Sequence, residues 1–415
     1  MAKTEKMEEA FPYRVLDLTD EKGFLCGAIL ANLGADVIKI ERPGGDPSRN
    51  IGPFYHDIPD LEKSLYWFAY NAGKRGITLN IKTADGQEIF KTMAKTADFI
   101  IESFPVGYMD DLGIGYKALK QLNPRVIMTS ISPFGQTGPY SQYKASDIVA
   151  TAMGGLMYIS GDADRPPVRP SVELSYMHAG AHAAIGSLIA LHYREREGVG
   201  QHVDVSIQEA VVRQVYIETG LWEYTRSLYR RCGSRARRGT VMQKETWECK
   251  DGWISFRIMG GAYGRGIQPL VDWMKSDGIA GPLSNIDWSQ VDIMTMTQEE
   301  SDVWEDAFAK FFRQHTVKEI YDEAIKRRIY LLPAYTPKQI TEDIQLKARD
   351  FWTKIDHEEL GQALTYPGPA VRLSETPMHI GPRAPLIGEH NQEIYEKELG
   401  LSKEELVILK ENGII

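Results

Sequence analysis

The feature that most constrains the fold is a regular alternation of short apolar strands with helical segments over the first 130 residues. Strands that alternate with helices form βαβ units, which build a parallel sheet through right-handed connections. The sequence therefore predicts an α/β fold with a Rossmann-like large domain. Strand patterns lie at 14–18, 35–40, 76–81, 99–101 and 126–130, and helical patterns lie at 23–33, 86–95 and 116–121.

Charge, cysteine usage and one missing motif argue against several function classes. The net charge of −9 argues against a general nucleic-acid binder and an anionic membrane surface. No apolar run approaches the roughly 18–20 residues of a membrane helix, and the N-terminus does not resemble a signal peptide. The three scattered cysteines form neither a zinc spacing nor a disulfide framework, so we expect a cytoplasmic protein. The turn LTDEKGF lacks G-x-G-x-x-G, which disfavours a nicotinamide or flavin dinucleotide.

A long helix with many small side chains is predicted within residues 172–210. Met177, Ala181 and Ile185 recur at helical spacing, and Gly198 follows a charged last turn as a stop signal. Its alanines and glycines allow another backbone to approach closely. The residues after this stop turn extended and predict a further strand.

After Ala210 the pattern changes to that of a smaller α+β domain. Residues 246–258 predict two short strands around a turn at Asp251–Gly252, and helical patterns follow at 298–314 and 317–327. The predicted division is the first part of the large domain at 1–212, a linker and the small domain at 213–340, and a return segment that completes the large domain at 341–415.

Seven segments share a further pattern, in one order and over nearly the whole chain. They read RVLDL…ANLGADVIKIERPGGDPSR, NAGKRGITLNIK, ADFIIESFPVGYMDDLGIGY, SPFGQTGPY, AMGGLMYISGDADRPPV, REREGVGQHVDVSIQEA and APLIGEHNQEIYEKELGL…ENGII. Together they resemble the family III coenzyme A transferases, the family of formyl-CoA transferase and carnitine-CoA transferase. The resemblance implies a CoA thioester substrate, no metal or redox cofactor, and an interlocked, ring-like dimer.

In active members of this family, the nucleophile is an aspartate at the head of the long helix. It attacks the acyl thioester to form a mixed anhydride, and it then carries CoA as a thioester. Aligned on GQHVDVS and Gly180, that position falls on Tyr176. A carboxylic acid has a pKa of about 4 and a phenol one of about 10, and a phenol cannot carry CoA as a thioester. The fallback carboxylates are Glu173, three residues upstream, and Asp147, which matches an acidic position beside the active site.

The resemblance also implies positions that bind CoA. Asp111 stands where many members carry an arginine for the nucleotide, and Ser146 stands where racemase members carry a histidine, which disfavours racemase chemistry. Gly260 and Gly261 either resemble the glycine loop that closes over the acyl intermediate or form a plain hairpin connection. The retained CoA-binding positions are Arg42, Asn71, Lys74, Arg75, Phe104 and Lys144.

Two further clusters have competing interpretations. His178 and His182 share one helix face but lack a third ligand, so no metal is expected. The six arginines within 226–238 form either a solvated face or a docking site for an anionic partner or dicarboxylate.

The leading hypothesis is the nucleophile-lacking subunit of a heteromeric CoA-transferase, inactive alone and paired with a paralogous catalytic subunit. The nearest resemblance within the family is to enzymes that move CoA from succinyl-CoA to (R)-benzylsuccinate in anaerobic toluene degradation. One alternative is a self-sufficient homodimer that uses Glu173 or Asp147. Another is a non-enzymatic scaffold that binds acyl-CoA.

Overall fold

The computed structural model describes residues 11–239 and 241–415. These residues form two compact units. The predicted boundaries lie at 212 and 340, whereas the chain divides after 226 and 348, and a short earlier segment joins the second unit. The first unit contains the described residues up to Met157, Arg169–Arg226 and Arg349–Ile415, and the second contains Tyr158–Val168 and Ser227–Ala348.

The first unit is built on the parallel sheet that the sequence predicts, and this confirms the α/β class. Its six strands lie in the order β3-β2-β1-β4-β5-β6, and all neighbours are parallel. The central strands are buried along almost their whole length, as expected for strands that are covered on both faces. The strands are β1 Arg14–Leu18, β2 Asp36–Glu41, β3 Arg75–Thr78, β4 Phe99–Glu102, β5 Ile127–Ser132 and β6 His202–Ser206.

The strand order reverses at β1. Leu16 of β1 is paired with Ile38 of β2 on one side and with Ile100 of β4 on the other. In open parallel sheets, ligands bind in the crevice beyond the carboxyl ends of the strands at such a reversal. The segments that follow Leu18, Glu41 and Glu102 are therefore the expected place for a ligand.

Helices pack on both faces of this sheet. On one face Val15 packs in a cluster with Cys26 and Ala183, and on the other Leu16 packs with Phe90 and Leu119. The helices of the first 226 residues are α1 Phe24–Asn32, α2 Leu65–Asn71, α3 Ala84–Ala94, α4 Tyr108–Asp111, α5 Tyr116–Leu122, α6 Asp147–Met153, α7 Leu156–Ile159, α8 Leu174–Glu197, α9 Ile207–Val212 and α10 Tyr216–Thr225. Short 3-10 turns lie at Pro47–Asn50, Tyr55–Asp57 and Arg213–Val215.

The predicted long helix is α8, and its small side chains allow it to lie close to α1. A Cβ added at Gly180 would lie 2.9 Å from the Leu25 Cβ and 3.3 Å from the Cys26 nitrogen. A side chain at this position would therefore force the two helices apart. Gly198 ends α8 in the left-handed conformation, with φ of 77°, as the sequence predicts.

The second unit has its own aromatic core, which includes Trp247, Phe256, Phe308 and Phe312. The predicted hairpin is confirmed, because two of its strands pair antiparallel around residues 249–252. Its strands are β7 Arg235–Arg238, β8 Val241–Lys244, β9 Thr246–Glu248, β10 Trp253–Phe256 and β11 Leu331–Ala334. Its helices are α11 Gln268–Ser276, α12 Gln298–Phe312, α13 Val317–Arg327, α14 Pro337–Glu342 and α15 Ile344–Ala348, with 3-10 turns at Gly261–Gly266 and Gly281–Asn285.

The C-terminal segment packs beside β3 in the first unit. The Tyr395 hydroxyl donates to the Thr78 carbonyl at 2.7 Å, and the Asn80 N–H donates to the Ile414 carbonyl at 2.7 Å. Across the described ranges, no helix is long and apolar enough to cross a membrane. The elements of this segment are β12 Trp352–His357, a 3-10 turn at Glu358–Leu360, β13 Gln362–Pro367, a π-helix at Glu393–Glu398 and α16 Lys403–Glu411.

Candidate active site

A cavity of about 290 Å³ lies at the carboxyl ends of β1 to β4, where the strand order reverses. Every strand of this group contributes to its lining, either at its last residues or in the loop that follows. We call it the nucleotide cavity because of its chemistry. Its lining residues are Leu18, Asp20, Ile40, Glu41, Arg42, Asp46, Pro47, Leu79, Asn80, Ile81, Lys82, Ser103, Phe104 and Tyr108.

The lining of the nucleotide cavity suits an aromatic base that carries anionic groups. The rings of Phe104 and Tyr108 lie 4.8 Å apart, and aliphatic side chains from the neighbouring strands complete the apolar surface. Arg42 and Lys82 add exposed cations, and Asp20, Glu41 and Asp46 add carboxylates. Base–aromatic stacking and phosphate–cation pairing are the two interactions that a nucleotide needs.

The turn that follows β1 is held by a buried ionic cluster. The Asp17 carboxylate pairs with the Lys74 ammonium at 2.8 Å and lies 3.9 Å from that of Lys39, and all three side chains are inaccessible to solvent. Although burial alone would raise the pKa of Asp17, the two ammonium groups lower it. The same carboxylate accepts hydrogen bonds from the Thr19 N–H and hydroxyl, so it fixes the start of the turn. Asp20, the next residue, is joined to Ser103 by two hydrogen bonds of 2.7 and 2.9 Å.

Four predicted CoA-binding residues, namely Asn71, Lys74, Arg75 and Lys144, lie outside the lining of the nucleotide cavity. Lys74 donates to Asp17, to the Phe24 carbonyl and to Asn71, and these acceptors account for the three N–H groups of its ammonium. Arg75 stands at the amino end of β3, the opposite edge of the sheet, and pairs with Asp36 at 2.7 Å. Their contact with CoA stays a prediction.

Tyr176 occupies the first turn of α8, with 7% of its surface exposed. Burial raises the pKa of its hydroxyl, and nearby carboxylates raise it further. The phenol therefore stays protonated at neutral pH, and a protonated phenol is a poor nucleophile. The carboxylates that act on it are those of Glu21, Asp20, Asp147 and Glu173.

The two fallback carboxylates differ in how they are held. The buried Asp147, the first residue of α6, accepts hydrogen bonds from the Ser175 N–H at 3.2 Å and from its hydroxyl at 2.6 Å. Its other oxygen pairs with Arg169 at 3.0 Å, so this carboxylate is fully engaged in holding the head of α8. Glu173, just before α8, is only half-buried and accepts one hydrogen bond from the Tyr66 hydroxyl at 2.9 Å. Of the two, Glu173 is the more accessible.

The remaining predicted residues lie in both units. In the first unit Lys144 is exposed, Asp111 ends α4 on the surface, and Ser146 precedes α6. In the second unit a Cβ added at Gly260 would lie 2.2 Å from the Val291 carbonyl oxygen, and Gly261 has a φ of 59°. A side chain at Gly260 would therefore clash with Val291, and the left-handed backbone at Gly261 favours glycine.

The arginine-rich run is partly tied into the second unit. Arg235 pairs with Glu305 at 2.7 Å, Arg238 pairs with Glu245, and Arg231 donates to the Arg165 carbonyl. Arg230 and Arg237 are exposed. Docking of an anion on this run stays a prediction.

Sequence reasoning did not predict that the acidic turn after β1 acts on Tyr176. Asp20 and Glu21 belong to LTDEKGF, yet both act electrostatically on Tyr176, which lies more than 150 residues away in the chain. The available signal was its position, because the turn after the first strand of such a sheet borders the ligand crevice. Arg169, which holds Asp147, left no signal in the sequence. Within the described residues, no group of three or more His, Cys, Asp or Glu side chains is arranged to hold a metal ion.

Comparison with known proteins identifies the family. Residues 13–391 match CoA-transferase family III. The chain belongs to this family. It is 34% identical, over 92% of each chain, to the BbsE subunit of succinyl-CoA:(R)-benzylsuccinate CoA-transferase from Thauera aromatica. It is also 32% identical to a formyl-CoA:oxalate CoA-transferase from Streptomyces avermitilis, over 97% of this chain and 98% of that protein.

A solved structure agrees with this assignment. The CAIB/BAIF family protein from Brucella suis superposes with a TM-score of 0.81 at 26% identity, and the match covers 93% of this chain and 98% of that chain. This family III chain therefore has the fold of its relatives over nearly its whole length. The resemblance drawn from the seven segments is confirmed at the level of family and fold.

Proposed function

We propose that this chain is the nucleophile-lacking subunit of a heteromeric CoA-transferase. A paralogous catalytic subunit would supply the aspartate. The reaction would move CoA from a donor such as succinyl-CoA to an organic acid. The BbsE relative acts as a subunit of an enzyme for (R)-benzylsuccinate, and this supports that acid as the candidate acceptor.

The observation that carries the proposal is the residue at the head of α8. A transferase of this kind needs a carboxylate there, because only a carboxylate forms an acyl anhydride and then a CoA thioester. Tyr176 is a buried phenol among four carboxylates, which together keep it protonated. At this position the chain therefore has no carboxylate that could form the acyl anhydride or carry CoA as a thioester.

We propose that the nucleotide cavity still receives CoA, with adenine against Phe104 and phosphates near Arg42. The cavity has about 290 Å³ and combines paired rings with exposed cations. This combination suits a subunit that binds or shapes the site for CoA without performing acyl transfer.

We further propose that the catalytic partner interlocks with this chain and covers the outer face of α8. Ile185, Ile189 and Tyr193 follow each other at one helix face and are 54%, 64% and 46% exposed. A stripe of large apolar side chains on one face is typical of a covered surface.

Expression of the chain alone and together with its paralogue tests the proposal. Succinyl-CoA-dependent thioester formation is expected only in the co-expressed preparation, and substitution of the partner's aspartate by alanine should abolish it. The self-sufficient alternative rests on the partly exposed Glu173 carboxylate. It would be supported by activity of this chain alone that is lost in the Glu173→Gln variant. Tight CoA-thioester binding with no turnover in either preparation would favour a scaffold.

A further inference from the structure

The segment that follows β4 separates two cavities. Residues 102–110, here called the wall segment, line the nucleotide cavity on one side and a smaller cavity of about 110 Å³ on the other. Ser103, Phe104 and Tyr108 face the nucleotide cavity, whereas Glu102 and Asp110 face the smaller one. One short stretch forms both linings. We therefore expect a change in its hydrogen bonds at the smaller cavity to alter the lining of the nucleotide cavity.

Glu102 is the residue that ties the wall segment to the sheet. It is 5% exposed, and its Oε2 accepts a hydrogen bond from the Phe104 N–H at 2.7 Å. Its carboxylate also accepts a hydrogen bond from the Ser130 hydroxyl. The Ser130 Oγ in turn lies 2.9 Å from Nε2 of His202, which is exposed. The buried carboxyl is thus linked through one hydroxyl to an imidazole at the surface.

This chain of hydrogen bonds has two forms that differ in the position of protons. When Glu102 is ionised, Ser130 donates to it, and Nε2–H of His202 donates to Ser130. When Glu102 is protonated, it donates to Ser130, which then donates to an unprotonated Nε2. The bond from the Phe104 N–H is charge-assisted only in the first form, and charge-assisted bonds are about twice as strong as neutral ones.

The surroundings of Glu102 let both forms exist near neutral pH. Burial raises the pKa of its carboxyl to about 7, the Ser130 hydroxyl and Phe104 N–H act in the lowering direction, Asp20 raises it and Lys22 lowers it. The other charged groups on the small cavity are Asp110 and Lys117, with His202 beyond Ser130.

We propose that Glu102 is a positioning residue for CoA binding, which holds Phe104 firmly at the nucleotide cavity when its carboxylate is ionised and loosely when it is protonated. The proposal rests on the proposed function, because it assumes that CoA binds in this cavity. Glu102 acts through the Phe104 backbone and does not need to touch the ligand.

Titration calorimetry with dephospho-CoA between pH 6 and pH 8 tests this proposal on the full chain in the oligomer in which it purifies. This probe lacks the 3′-phosphate, whose second pKa of about 6 would otherwise titrate in the same range. Affinity is expected to fall about fivefold from pH 8 to pH 6. The Glu102→Gln variant keeps a carbonyl for the Phe104 N–H and a donor for Ser130 but cannot ionise. At every pH it should therefore bind dephospho-CoA with the weak affinity that the wild type has at pH 6.

Two further variants test whether the pH dependence of binding comes from Glu102. Asp110→Asn removes a carboxylate from the same small cavity and should retain the pH dependence of the wild type. Ser130→Ala removes a hydrogen bond to ionised Glu102 and should move the midpoint of the pH profile upward. Binding that is independent of pH in the wild type, or equally dependent on pH in Glu102→Gln, would overturn the role of Glu102 and leave CoA binding intact. Absence of binding at every pH would overturn the nucleotide cavity itself, and the role of Glu102 with it.

Discussion

The nucleotide cavity and the head of α8 share one short turn, yet they differ in what they retain. Asp20 lines the cavity and also acts on Tyr176, so both regions border the turn after β1. The cavity has paired rings, aliphatic side chains, two exposed cations and the carboxylates of Asp20, Glu41 and Asp46. The head of α8 has a phenol where the family resemblance implies a carboxylate nucleophile. Under the proposed function, ligand binding and covalent chemistry are separable parts of this fold.

The largest effect is expected from breaking the ionic cluster that supports both regions. Asp17→Asn would leave the buried Lys74 ammonium without its counter-ion, and the buried Lys39 ammonium with only the Asp46 carboxylate at 3.8 Å. The free energy of unfolding should fall by about 3–5 kcal/mol, measured by urea denaturation. Glu88→Gln is the matched control, because that carboxylate is 73% exposed in its pair with Lys91, and its loss should cost less than about 1 kcal/mol. Equal losses in the two variants would contradict the structural role of Asp17.

A smaller effect, confined to the binding region, is expected from removal of a ring. Phe104→Ala should weaken CoA binding by about 5- to 150-fold, because one base–aromatic stack contributes about 1–3 kcal/mol. Calorimetric titration with CoA measures this change. Tyr224→Ala, at a ring that is 89% exposed and outside the cavity, should leave the affinity unchanged. Unaltered affinity in Phe104→Ala would remove the cavity from the CoA site.

The exposed cation of the cavity should matter less and should depend on salt. Arg42→Ala is expected to weaken CoA binding by about two- to fivefold at low ionic strength, and the loss should shrink at about 1 M salt because exposed charges are screened. Lys95→Ala, at an exposed cation outside the cavity lining, is the control. A loss of affinity that does not change with salt would argue against a phosphate near Arg42.

The smallest effect is expected at the position where the family resemblance implies a catalytic aspartate. Tyr176→Phe removes only the hydroxyl, whose pKa is raised and which stays protonated. Transfer activity of the complete enzyme should change less than about twofold between pH 6 and pH 9. A tenfold loss in kcat at any pH in this range would show that the phenol takes part in the reaction.

The sequence predicts the frame of the site better than its contacts. The strands from 14–18 to 126–130 can be predicted because burial on both faces makes them largely apolar, and Phe104 can be predicted because it follows one of them. The role of Lys74 cannot be predicted from the sequence, because only the packed structure shows that its ammonium points inward to Asp17. The approach of Glu21 to Tyr176 likewise depends on contact between α1 and α8, which Gly180 permits.

The most direct measurement is acyl transfer by this chain alone and with its paralogue, with the trapped acyl-enzyme located by mass spectrometry. Succinyl-CoA is the donor, and (R)-benzylsuccinate is the first acceptor to test. We expect turnover only in the complex, with the covalent adduct on the partner's aspartate and no adduct on residues 147–176 of this chain. Turnover by this chain alone, with an adduct on Glu173, Glu21 or Asp147, would contradict its assignment as the nucleophile-lacking subunit.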